Sequence, residues 1–183
     1  MRKVTAGLFS SVDGVVESPN TFQFDSFDAQ LARGMTAMID RVDTVVLGGV
    51  TYREWSGYWP NADPADLFGA FINPVDKHVA TRSMTAPLEW QNATRMDAEL
   101  LDFVAALKDG KGGDIAVCGS ISVVRQLLFA GLLDELLLMV HPVVAGAGRH
   151  LFEPTDPTTR LRLVDAEFTD AGNALLNYSR RQD

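Results

Sequence analysis

Two hydrophobic periods alternate along this chain. Residues 3–9 (KVTAGLF) form a short apolar run that predicts a first strand. Ser11-Val12-Asp13-Gly14 then reads as a turn, and Val15-Val16 as a return to extended chain. From Asp25 the period lengthens: Phe27, Leu31, Met35 and Met38 are spaced four, four and three, which predicts a helix. The apolar run 45–47 predicts a buried strand ending at Gly48-Gly49, followed by a short aromatic helix over 52–59 closed by Pro60. Residues 66–72 predict a helical turn or two, which Asn73-Pro74 stops. A third strand is expected over 77–81, a short one over 93–96 and a helix over 98–107. After the break at Lys111-Gly112-Gly113 come a strand over 115–118 and a helix over 122–130 with Gly131 as its C′ residue. Residues 135–140 are apolar on both faces, as in a central strand. A long irregular stretch follows, and 161–168 with 174–180 predict an antiparallel hairpin around Asp170-Ala171-Gly172-Asn173. The alternation of strand and helix predicts an α/β fold, with a mostly parallel sheet, an antiparallel C-terminal hairpin and helices on both faces.

At 183 residues, with no fixed-period repeat and no low-complexity linker, the expectation is a single domain over 1–183. Lys+Arg 16 against Asp+Glu 24 gives a net charge of -8, which argues against a general nucleic-acid binder. An anionic ligand stays open, because backbone N–H groups can hold a phosphate in an acidic protein. Cys118 is the single cysteine, so no intrachain disulfide and no cysteine cluster for zinc can form, and a reducing cytoplasm is expected. No run of 18 apolar residues is present to predict a membrane span, and the N-terminal run is too short for a signal peptide.

Two stretches share a local grammar: DTVVLGGVTYREW at 43–55 and DIAVCGSISVVRQ at 114–126. Each runs from an acidic residue through an apolar strand into a glycine turn and then a helix. At the carboxyl end of a parallel strand such a turn can cradle a phosphate, using the unpaired N–H groups of the following helix. Glycine and Ser/Thr also favour ordinary strand-to-helix connections for geometry and capping alone. Neither stretch is a Walker A loop or a Gly-x-Gly-x-x-Gly fingerprint.

Further segments join these two: Ser11-Val12-Asp13-Gly14, KHVATRS at 77–83, AVCGS at 116–120, GLLDEL at 131–136, HPVVAGAG at 141–148 and Leu151-Phe152. Together they resemble the dihydrofolate-reductase-like superfamily, in the branch of the riboflavin-biosynthesis reductase C-terminal domain, as a stand-alone member. The resemblance implies an NADPH site at the strand ends. Gly48, Gly49, Val50 and Thr51 would meet the phosphates, and Cys118, Gly119, Ser120, Ile121 and Ser122 the pyrophosphate. Thr81, Arg82 and Ser83 would lie at the adenosine side, and Ala6, Gly7, Val15 and Val16 would flank the nicotinamide. Members often carry a basic residue after the first glycine of the first turn, where this chain has Gly49 and Val50. Arg82 is then the remaining partner for a 2′-phosphate, with Arg53 second; should Arg82 point away, NADH would serve as well. The branch also implies a homodimer, with 136–140 or the C-terminal hairpin as interface.

Hydride transfer requires a proton, and Asp25 and Asp28 are the candidate donors near the strand ends. The competing role is capping, with Asp25 as N-cap and Asp28 in the first turn. Asp13 is expected to hydrogen-bond its own turn. His78, His141 and His150 lack metal-ligand spacing and are expected in core or surface roles, with no metal. Trp55, Tyr58, Trp59, Phe22, Phe24 and Phe27 would either wall a pocket for a flat heterocycle or belong to the core. The expected function is NADPH-dependent reduction of a small heterocyclic, pterin- or pyrimidine-like substrate. The rivals are a non-catalytic nucleotide-binding or structural dimer module, and a true folate reductase using Asp28 for pterin recognition.

Overall fold

The computed structural model describes residues 1–181. Eight strands form one sheet: β1 (Val4–Ser10), β2 (Val42–Gly48), β3 (Asp76–Ala80), β4 (Ala93–Arg95), β5 (Asp114–Val117), β6 (Glu135–Val140), β7 (Leu161–Phe168) and β8 (Ala174–Arg180). Their order is β4-β3-β2-β5-β1-β6-β8-β7. The first six strands in this order run parallel, and β8 and β7 are added antiparallel. The hairpin strands keep the bounds expected from the sequence.

Five helices complete the fold: α1 (Ala29–Ile39), α2 (Gly49–Tyr58), α3 (Leu67–Ile72), α4 (Leu100–Asp109) and α5 (Ile121–Phe129). Strand alternation sorts them onto the two faces. Val4, Ala6, Val46, Ile115 and Val117 point to one face and pack with Val104 of α4 and Val123, Val124, Leu127 and Leu128 of α5. On the other face Val45, Leu47, Val79 and Ala116 meet Tyr52 of α2 and Ile72 of α3. Leu31 of α1 packs there against Met139 and Leu175. No helix is long and apolar enough to cross a membrane among the described residues.

The amino ends of the strands are stitched by charge. Arg2 pairs with Asp43, Lys3 with Glu135 at 2.6 Å, Arg41 with Asp114 at 3.4 Å, and Lys108 with Asp134. Asp134 also accepts the Val4 N–H at 2.8 Å, so its carboxylate pins the start of β1. Lys77 in β3 is fully buried. Its ammonium donates to the carbonyls of Ile72 (2.9 Å), Asn73 (2.9 Å) and Val75 (2.7 Å), satisfying carbonyls at the end of α3, and lies 4.7 Å from the Trp90 ring centroid. Burial depresses its pKa to about 8.

The far edge differs. Seven of the eight residues of β7 are exposed, among them Leu163, Val164 and Phe168.

One capping expectation is corrected. Asp28 is the N-cap of α1 and accepts the Leu31 N–H at 2.7 Å, whereas Asp25 lies in an exposed turn before it. The stripe from Phe27 therefore enters the helix only at Leu31. The reason is tertiary: Ser26 is drawn inward to His141, which holds the preceding residues out of helical geometry.

Candidate nucleotide site at the strand ends

β2 and β5 are neighbours, so their glycine turns meet. The Gly48 N–H donates to the Gly119 carbonyl at 2.8 Å. A Cβ on Gly48 would fall 2.0 Å from the Ser120 hydroxyl oxygen and 2.9 Å from its nitrogen. Gly119 has φ +109 and a Cβ there would meet Thr51 Oγ1 at 2.9 Å. The peptide between Gly119 and Ser120 is cis. These glycines are thus required by the packing of one turn on the other. That contact places the N-termini of α2 and α5 side by side. Neither N-cap residue, Gly48 or Ser120, offers a side-chain capping bond. The N–H groups of Val50, Thr51 and Ser122 in the first turns have no partner within their own helices, whereas the Val123 N–H bonds the Ser120 carbonyl at 2.9 Å. Two uncapped, aligned helix ends in one place suit a diphosphate.

β3 continues this edge. Its register with β2 runs to Gly48↔Ala80, and the Gly49 Cβ position faces Thr81 Oγ1 and Met84 Cε at 3.1 Å each. Thr81 Oγ1 accepts the N–H groups of Ser83 (3.3 Å) and Met84 (3.4 Å). Arg82 donates to Glu99 at 2.5 Å. Arg53 is exposed on α2. Ala6, the third residue of β1, and Val16 are buried in the same α5-side core. Gly7 points the other way, under α1, where a Cβ would meet Met38 Sδ at 2.8 Å. Cys118 follows β5, and burial pushes its thiol up to about 12, so it stays protonated.

Loops 11–18 and 141–151 close over the ends of β1 and β6. Asp13 accepts the Ala145 N–H at 2.9 Å, the Gly146 N–H at 2.8 Å and the Ser11 hydroxyl at 2.6 Å. Beyond its own turn it therefore clamps the HPVVAGAG loop. The Ser11 hydroxyl and these two amides hold its pKa at about 2. Val15 bridges His150, and Arg149 donates to Glu17 at 2.7 Å.

A polar cluster that sequence reasoning did not assemble lies behind this clamp. His141 is fully buried. The Ser26 hydroxyl donates to the Gln23 carbonyl at 2.6 Å, which leaves its oxygen to accept His141 Nδ1–H, also at 2.6 Å. Gln23 Nε2 faces His141 Nε2 at 3.3 Å. Asn173 donates to the Ser26 carbonyl at 2.6 Å and to Thr169 Oγ1 at 2.9 Å. Burial lowers the His141 pKa, and the neutral ring ties three loops together. The one signal available in the sequence was the position of His141 at the head of HPVVAGAG.

Asp28 sits at the edge of this cluster. The Thr169 hydroxyl, the Leu31 N–H and the Ala171 N–H hold its carboxyl below the usual range. It is an ionised cap at neutral pH, with no proton to give. The aromatic residues divide: Phe27 packs on Phe9 and Phe22 on His141, while Trp55 and Trp59 pack on Phe68 of α3. Phe24 is exposed. His78 contacts Thr94 and Phe103. No group of three His, Cys, Asp or Glu residues is placed to hold a metal ion among the described residues.

The protein YyaP of Bacillus subtilis (strain 168) is 26% identical over 181 residues, covering 97% of this chain and 94% of its own length. A pyrimidine reductase-like protein from Corynebacterium diphtheriae superposes with a TM-score of 0.72 at 17% identity, covering 100% of this chain and 93% of its own. A dihydrofolate reductase from Enterococcus faecalis, solved with NADP(H), gives a TM-score of 0.63 at 15% identity, with 98% and 97% covered. The fold is therefore dihydrofolate-reductase-like. The profile of the RibD C-terminal domain matches residues 2–175, and the chain belongs to that family.

Proposed function

We propose that this chain is a nicotinamide-dependent reductase of a small, flat heterocycle of pterin or pyrimidine type, using NADPH with NADH as the alternative. The observation that carries the reading is the joined pair of uncapped helix N-termini at Gly48 and Ser120. Family membership and a fold shared with a reductase solved with NADP(H) support it.

Bound in this cleft, a dihydronicotinamide supplies the hydride. The chain's own part is to hold and to shield. The helix ends at α2 and α5 take the phosphates. Ala6 and Val16, buried in the α5-side core, would supply apolar packing behind the nicotinamide. Reduction adds a hydride to the electrophilic carbon of the substrate and a proton to the adjoining heteroatom. Asp28 is ionised and engaged as a cap, and Asp25 is exposed outside the cluster, so water delivers the proton. The free, protonated Cys118 suits a reducing compartment, which supports a cytoplasmic setting.

The exposed edge β7 supports a homodimer. The commitment of Asp28 to capping favours one rival, a nucleotide-binding module without turnover.

Fluorescence titration with NADPH and with NADH tests the binding claim, because Trp55 lies in the second turn of α2. Dissociation constants well below ~1 mM are expected. Failure of both nucleotides at that concentration overturns the reading. Binding without substrate-dependent oxidation of the nucleotide across a panel of pterins and pyrimidines favours the module.

A further inference from the structure

We propose that the Arg82–Glu99 ion pair sets the choice between the two nicotinamide dinucleotides, with Glu99 as the residue that holds back NADPH. The inference rests on the reading that the adenosine end of the cofactor lies at residues 81–83.

The geometry comes from three neighbouring elements. β3 ends beside the first glycine turn, so Thr81 faces Gly49 and Arg82 is the next residue outward. Arg82 Nη2 meets Glu99 Oε2 at 2.5 Å, and the two side chains are 87% and 70% exposed. Glu99 is the N-cap residue of α4 yet makes no capping hydrogen bond, so its carboxylate is given to Arg82 and not to the helix. Another cation on this edge is also engaged, since Arg95 Nη1 donates to the Met84 carbonyl at 2.8 Å. Thr81 Oγ1 accepts the Ser83 and Met84 N–H groups and so holds the turn.

A 2′-phosphate arriving here must draw Arg82 away from Glu99 and then sit beside the released carboxylate. The guanidinium fork suits a phosphate dianion, but two anions compete for one cation. A dinucleotide with a free ribose 2′-hydroxyl meets no such competition, and a carboxylate can accept from that hydroxyl. Glu99 therefore lowers the preference that Arg82 would otherwise confer. Because the pair is exposed, the effect is modest, about two- to fivefold in affinity, and shrinks with added salt.

The test is a matched titration of NADPH and NADH against wild type, Glu99→Gln and Arg82→Ala at low and high ionic strength, with melting curves confirming that each variant folds. Glu99→Gln is expected to tighten NADPH about two- to fivefold and leave NADH unchanged or weaker. Arg82→Ala should weaken NADPH toward the NADH value. If wild type binds both nucleotides and neither substitution moves their ratio, the pair does not face the 2′ position and the inference falls, while the reductase reading stands. If Glu99→Gln weakens both nucleotides equally, Glu99 supports the loop and the inference again falls. If wild type binds neither, the reading and the inference fall together.

Discussion

The two ends of the sheet use charge in opposite ways. At the amino ends, four cationic side chains, Arg2, Lys3, Arg41 and Lys108, are matched by Asp43, Glu135, Asp114 and Asp134, and Lys77 is matched by three carbonyls. At the carboxyl ends of β2 and β5 the helix N-termini carry no side-chain cap. The carboxylates at the ends of β1 and β6, Asp13 and Asp28, are instead spent on backbone amides of the loops. One end has its electrostatics closed by the chain itself, and the other keeps donors in reserve for a ligand. Substitutions at the first should cost stability and spare binding, and those at the second should do the reverse or both.

The largest effect is expected at Lys77. Lys77→Met leaves buried carbonyls of Ile72, Asn73 and Val75 without their donor, and should cost about 2–4 kcal/mol in a denaturant melt with nucleotide affinity unchanged. Burial depresses Lys77 to about 8 against 10.5 in the unfolded chain, so the unfolded state binds more protons between those values. The desolvation cost of the buried ammonium is therefore carried in full below about 8 and is relieved as pH rises toward 10.5. Wild type should gain stability relative to Lys77→Met across that window.

Gly48→Ala comes next. Its methyl group would collide with Ser120, and the two turns must separate. A loss of about 1–3 kcal/mol is expected from overpacking. Nucleotide affinity should fall by at least about tenfold because the helix ends lose their alignment. An unchanged titration would show that the joined turns are only a packing device.

The HPVVAGAG clamp should respond to acid. The Asp13 pKa of about 2 lies below its ordinary 3.8, so its stabilisation is present above that value and lost as pH falls toward 2. Amide exchange at Ala145 and Gly146 should accelerate across this range. Asp13→Asn, with one acceptor oxygen left, should show the faster exchange already at neutral pH. Smallest of all, Lys3→Ala removes an ion pair whose lysine is about half exposed, and should change stability by less than ~1 kcal/mol.

The sequence was most legible where structure is local. The hairpin strands keep their bounds because a four-residue turn and its flanking pattern carry the information within a short span. The glycine turns were visible for the same reason, although their joining depends on β2 and β5 being neighbours. The role of Asp13 was not visible, because its amide partners lie 132 and 133 residues away. Nor was the exchange of roles between Asp25 and Asp28, which follows from Ser26 reaching His141, 115 residues distant. Arg82 illustrates the middle case. The residue could be singled out from its place after the third strand, but its partner Glu99 lies on a helix with no local tie to it.

The position of β1 bears on how the chain is made. β1 precedes the other seven strands along the chain, yet both of its neighbours, β5 and β6, begin more than a hundred residues later. At about 5–20 residues per second, its apolar edge waits roughly 5–20 s for the first of them. Over the same interval β2, β3 and β4 emerge in sequence and can pair with one another. The earliest of these strands is thereby seated only once β5 and β6 have emerged, and it joins β4-β3-β2-β5 to β6-β8-β7.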